Sequence, residues 1–164
     1  TTNNKPLYEK IRKIRNLGAE KKFRHEIIGM NSRLDNMQAL ILNYKLKDLT
    51  RLNQLRRKIA SEYDKKIINN KIQKIKYSKH SVFHQYVIIV KERKRLIEYL
   101  KRSQIQFGFH YPHAIHQLEV FKKIFKKKRF SNAEILAKYG ISIPINPLLT
   151  KKEVLYIINK LNNF

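Results

Sequence analysis

From Leu34 onward the apolar residues Met37, Ile41, Leu42, Leu46, Leu49, Leu52, Leu55, Ile59 and Tyr63 recur in steps of three and four. That spacing lays one apolar stripe along a helix and predicts a single helix over 34–64, about eight turns long. Ser32 is placed to cap its start, with Asp35 in the first turn, where a carboxylate complements the helix dipole. A helix of that length can link two subdomains. The stripe reads as core packing rather than as a coiled-coil seam.

Upstream, Leu7, Ile11 and Ile14 predict a helix over 5–17, with Gly18 at the left-handed stop. Residues 19–31 carry no helical stripe and read as a loop. Downstream, 67–79 is a polar connector, and the β-branched and aromatic run "VFHQYVIIV" (82–90) is a strand. Leu96, Ile97 and Leu100 share one face of a helix over 91–103, and "IQFGF" (105–109) returns as a strand. Short helices follow over 118–125 and 132–140, the second capped by Asn132 and stopped by Gly140. In 141–147 the residues alternate as in a strand that Pro144 confines to an edge or an ending. Thr150 and Glu153 form a capping box for a last helix reaching Leu161. The order predicts an α+β fold, a small antiparallel or mixed sheet packed by helices.

Composition narrows function less than it first suggests. The formal charge of +25 invites a basic module that binds nucleic acid or an anionic surface. Yet 26 Lys, 22 Ile and 14 Asn stand against 6 Ala and 4 Gly, the usage that A/U-rich codons produce without selection for a polyanion. The cations spread along the chain, with "KKIFKKKR" (122–129) the one dense run, and no nucleic-acid fold motif accompanies them. Nucleic acid is therefore not the expected partner. No apolar run approaches the roughly 18 residues of a membrane span, and no basic-then-apolar leader opens the chain, so the cytoplasm is the expected compartment. With no Cys, thiolate metal sites and thiol nucleophiles are excluded.

"FGFHYPHAIHQ" (107–117) holds His110, His113 and His116. Imidazoles suit a metal, but three at i, i+3 and i+6 around Pro112 cannot share one helical face, and Glu119 is the nearest carboxylate. No metal site is expected. Residue chemistry leaves open a strand leaving the sheet, with His110 and Tyr111 bonded to backbone, or a rim on which a ligand leans. Likewise Asn31 reads as a turn residue, Arg33 as a surface cation at a helix start, and His84 as a buried strand histidine with a structural role.

Four segments carry a resemblance. "GMNSRLDNMQALIL" (29–42) resembles the Gly-x-Asn-x-Arg-x-x-x-x-Gln-Ala segment of the DegT/DnrJ/StrS aminotransferases, and "IQFGFHYPHAIHQ" (105–117) resembles their Ile-Gln-x-Gly-x-His-Tyr-Pro-x-x-x-His stretch. "NAEILAKYGISIPINPLLT" (132–150) is similar to their Ala-Glu…Ser-(Leu/Ile)-Pro-x-x-Pro-x-(Leu/Met)-Thr ending, and "YEKIRKIRNLG" (8–18) to the helix ending in Arg-Asn-His-Gly. The segments stand in the family's order. Three positions depart: Gln104 replaces a Gly, Ala114 a Pro, and Leu17 the His of that turn.

The resemblance implies the C-terminal small domain of a fold-type I aminotransferase dependent on pyridoxal 5'-phosphate (PLP). Residues 1–33 would be the remnant of the large PLP domain, and 34–164 the small domain with its linking helix. The implied reaction aminates a nucleotide-linked keto sugar, with glutamate as donor. The lysine that forms the Schiff base, the carboxylate facing the pyridinium nitrogen and the ring stacking on PLP lie upstream in the family. No residue here is therefore assigned as catalytic, and the chain alone is expected to be inactive. Asn31 and Arg33 would hold the phosphate of the partner subunit's PLP from a loop that crosses the dimer interface. His110, Tyr111 and His116 would line the sugar-nucleotide pocket, and His113 would face solvent. The implied partner is a second copy or an N-terminal half of the same enzyme. A product of a decayed gene is the remaining alternative.

Overall fold

A computed structural model describes residues 1–126 and 128–164. The chain forms two compact units, Thr1–Asp48 and Leu49–Phe164.

The first unit opens with helix α1 (Lys5–Ile14), capped by Asn4, whose side chain accepts from the Leu7 N–H. Leu17 and Gly18 then turn left-handed, with φ of 58° and 78°. Residues 19–31, expected to be a loop, contain a hairpin of β1 (Ala19–Lys21) and β2 (Arg24–His25) with an irregular register. A three-residue strand beside a two-residue one is too short to show the period-2 alternation that announces strands. Gly29 passes so close to α1 that a Cβ there would lie 2.2 Å from the Gly18 nitrogen and 2.6 Å from the Ile14 carbonyl oxygen. Helix α2 (Asn36–Leu46) follows, capped by Asp35 rather than Ser32: Oδ1 accepts from the Met37 and Gln38 N–H groups at 2.8 and 3.4 Å. Ser32 instead donates its N–H to the Arg15 carbonyl.

The expected single helix over 34–64 is two helices. The end of α2 tightens, the Lys47 and Asp48 N–H groups reaching back three residues to Tyr44 and Lys45. Helix α3 (Leu49–Lys66) then begins the second unit. The apolar spacing runs unbroken across the join, so periodicity could not reveal it. Asp48, a residue that favours caps over helix interiors, stands at the junction.

The second unit is built on an antiparallel sheet ordered β3 (Gln73–Lys74), β4 (Tyr86–Ile89), β5 (Gly140–Ile143). The supposed polar connector 67–79 thus supplies an edge strand, and its Ile67 and Ile72 are core. Tyr86 and Ile88 of β4 join Ile59 and Tyr63 of α3, Leu96 and Leu100 of α4 (Arg93–Arg102), Ile141 and Ile143 of β5, and Ile157 and Leu161 of α7 (Lys151–Asn162). The Tyr63 hydroxyl donates to the Pro144 carbonyl at 2.7 Å, and the Tyr86 hydroxyl to Asp64 at 2.5 Å. Burial raises both phenols above their ordinary pKa, Tyr86 with further help from the Asp64 bond.

The expected strand 105–109 contributes one bridge, with Gly108 and Ser142 exchanging both backbone bonds. Its extension is blocked at both ends. Continuing the pairing would set residue 106 against Pro144, which has no N–H, and residue 110 against Gly140, whose N–H already closes helix α6 (Ser131–Tyr139) on Leu136. Helix α5 (Glu119–Phe125) and α6 lie where expected, although Asn132 does not cap α6; a Glu134 oxygen accepts from the Phe130 N–H at its start. The Thr150–Glu153 capping box of α7 is present.

Candidate functional site

Each unit carries its own candidate residues. In the first, backbone bonds lace residues 29–32 to the end of α1: Met30 N–H to Ile14, Leu17 N–H to Met30, and Ser32 N–H to Arg15, all at 3.1 Å or less. Asn31 pairs with Asn16 across an isolated antiparallel bridge. The Gly18 turn is packed without room for a side chain, since a Cβ there would stand 1.6 Å from the Ile27 carbonyl oxygen. Lys13 braces the hairpin through Glu26 (2.7 Å) and Glu20 (3.2 Å). Its Glu26 bond, then its charge, holds that carboxyl below its usual range.

On this pinned loop Asn31 and Arg33 are exposed, and their side chains make no hydrogen bond or ion pair among the described residues. An amide donor and a guanidinium free on a fixed backbone are the donor set a phosphate needs. The amino end of α2 adds nothing to this set, because the Asp35 carboxylate occupies the N–H groups an anion would use. These residues fit the phosphate of PLP. Nothing in 1–48 supplies a buried amine for its aldehyde; Lys13 is committed to two carboxylates.

In the second unit, residues 107–117 leave the sheet edge. The His110 ring sits 2.8 Å from the buried Ser142 hydroxyl through Nδ1 and covers Gly108, where a Cβ would meet it at 2.9 Å. Tyr111 is 74% exposed, its ring edge-on to His110 at 5.5 Å. His113 is exposed. His116 is held by other partners. Its Nε2 lies 3.2 Å from Glu134, and its ring packs on Phe130 at 4.9 Å. The structure thus brings His110 and Tyr111 together and pairs His116 with a carboxylate of α6. Ser142 and Glu134, which fix the two histidines, were not singled out by sequence spacing, because each contact spans 18 residues or more. His84, expected buried in a strand, is exposed ahead of β4, beside Arg56 and Asn146. Among the described residues no three His, Cys, Asp or Glu side chains gather as a metal site, and no helix is long and apolar enough to cross a membrane.

Known proteins resemble this chain along its whole length. A dTDP-3-amino-3,6-dideoxy-alpha-D-galactopyranose transaminase of Aneurinibacillus thermoaerophilus is 35% identical over all of this chain and 46% of its own length. A UDP-N-acetyl-3-dehydro-alpha-D-glucosamine 3-aminotransferase of Acidithiobacillus ferrooxidans is 31% identical over 90% of the chain and 40% of its own. The crystal structure of S. venezuelae DesV superposes with a TM-score of 0.87 at 28% identity, covering 99% of this chain and 45% of DesV. A Brucella abortus aminotransferase gives 0.86 at 25% identity, with 99% and 44% covered. The chain therefore spans less than half the length of these relatives. The DegT/DnrJ/EryC1/StrS aminotransferase family itself matches over residues 1–162, and the chain belongs to that family.

Proposed function

We propose that this chain is the C-terminal portion of a PLP-dependent aminotransferase that transfers an amino group from glutamate to a keto sugar carried on a nucleotide. The observation that carries the reading is the pinned loop that leaves Asn31 and Arg33 free as phosphate donors within a chain belonging to this aminotransferase family. The relatives named as sugar transaminases supply the substrate class.

Asn31 and Arg33 hold the PLP phosphate of a partner subunit, by amide donation and by charge. PLP, when bound, supplies the electron sink through which the amino group passes. Tyr111 offers a flat exposed ring and a hydroxyl to the nucleotide sugar, with His110 behind it. His116, fixed by Glu134, adds an imidazole from the same 107–117 segment. The lysine that anchors PLP belongs to the half that this chain does not cover. Residues 1–33 belong with the large domain and 34–164 form the small one. The working enzyme is a cytoplasmic homodimer, or the two halves assembled.

The test is reconstitution. The 164-residue chain is mixed with a lysine-bearing N-terminal half, and the product formed from glutamate and a dTDP- or UDP-keto sugar is measured. The mixture forms amino sugar and the chain alone forms none. Activity of the chain alone would overturn the assignment of the lysine to the other half.

A further inference from the structure

The two fixed histidines of 107–117 are held in chemically different ways. His110 faces a serine hydroxyl, which can donate or accept, so that contact leaves its tautomer open. His116 faces a carboxylate. Oε1 of Glu134 receives the His116 Nε2 and the Phe130 N–H (3.1 Å), and Oε2 receives the Arg129 guanidinium at 2.9 Å. Arg129 first, then the Phe130 N–H, keep this carboxyl below its usual pKa, so near neutral pH it is ionised and can only accept. The hydrogen between the two side chains must therefore sit on His116 Nε2.

In a neutral imidazole the other nitrogen then carries a lone pair and no hydrogen. Nδ1 of His116 has no partner among the described residues. Yet among the described residues no buried side-chain nitrogen or oxygen is left without a partner. Nδ1 therefore opens to solvent through the small exposed part of a ring whose side chain is 91% covered, 9% remaining accessible.

We infer that Glu134 locks neutral His116 in the Nε2-protonated form and makes its solvent-open Nδ1 a hydrogen-bond acceptor, one that takes an O–H donor such as a sugar hydroxyl and rejects a phosphate oxygen. His116 is the ligand-facing group and Glu134 a positioning residue. The nature of the ligand rests on the proposed sugar-nucleotide pocket; the locked tautomer does not. His116 thereby selects for the sugar, leaving the diphosphate to other donors.

The experiment is long-range ¹H–¹⁵N correlation of the imidazole nitrogens of the 164-residue chain at pH 8. His116 Nδ1 resonates as an unprotonated and Nε2 as a protonated ring nitrogen. Glu134→Ala averages the two signals as the tautomers mix, and Glu134→Gln, whose amide oxygen still accepts, keeps them apart. Arg129→Ala leaves His116 and Glu134 in place and also keeps them apart, so the test survives if Glu134→Ala fails to fold. UDP-glucose shifts Nδ1 while UDP at the same concentration does not. A protonated Nδ1 in the wild-type chain, or an equal shift with UDP, overturns the inference. If UDP-glucose moves neighbours in 107–117 but not Nδ1, the hydroxyl assignment falls. If it moves none of them, the pocket reading falls with its ligand while the locked tautomer stands.

Discussion

At residue scale, four residues sit where their chemistry has a measurable cost or use. Gln104 occupies the left-handed position after α4, φ 55°, in a complete Schellman turn: its N–H reaches Lys101, and the Ile105 N–H reaches Leu100. That is the position at which the family resemblance expects glycine. Gln104→Gly should raise stability by about 1 kcal/mol in urea unfolding, since the strain relieved exceeds the entropy lost. Gly18 is the reverse case. Gly18→Ala should destabilise the first unit by roughly 2 kcal/mol or more, seen as lost amide protection in 14–32, because a Cβ cannot share space with the Ile27 carbonyl. The buried Tyr63 and Tyr86 hydroxyls, whose pKa values are raised by burial, set an alkaline limit. A raised folded-state pKa contributes stability that is complete below the unfolded value of about 10 and is lost as pH rises through the folded one. Stability should hold level up to about pH 10 and fall above it, and Tyr63→Phe should flatten that fall while costing about 1–2 kcal/mol at neutral pH.

At element scale, what could be read from the sequence depended on the range of the signal. The α7 capping box spans three residues, and Thr150 and Glu153 announced it. Thr150→Ala should cost about 1 kcal/mol, measurable as a lower midpoint of thermal unfolding. Helices α4, α5 and α6 were legible for the same local reason. The join at 47–48 was not, because a helical stripe continues across a tightened turn as it does across a regular one. Residues 105–109 look like a strand on propensity, but Pro144 and the committed Gly140 N–H limit them to a single bridge, and both lie more than 30 residues away. The candidate site divides in the same way. Asn31, Arg33, Tyr111 and the histidines stand in quotable motifs, whereas Ser142 and Glu134, which fix what those histidines can do, are reached only through the fold.

At the scale of the whole molecule, the two units differ in how they are covered. The second has a core around Tyr63, Tyr86, Leu96 and Leu161. In the first, helix α2 carries Met37, Leu40, Ile41, Leu42, Tyr44 and Leu46 around its circumference and buries none of them, while Ile28 is fully exposed. A helix apolar on all sides belongs inside a larger assembly. The isolated chain should therefore self-associate, with light scattering that falls in Leu40→Lys. The central claim is that a phosphate-holding loop here serves a cofactor anchored by a lysine in another half. The direct measurement is the visible absorbance of PLP after the chain and a lysine-bearing half are mixed and dialysed. Retained, shifted PLP absorbance in the mixture, none with either piece alone, and at least tenfold weaker retention with Asn31→Ala are predicted. Retention by this chain alone, or undiminished by Asn31→Ala, would contradict the account.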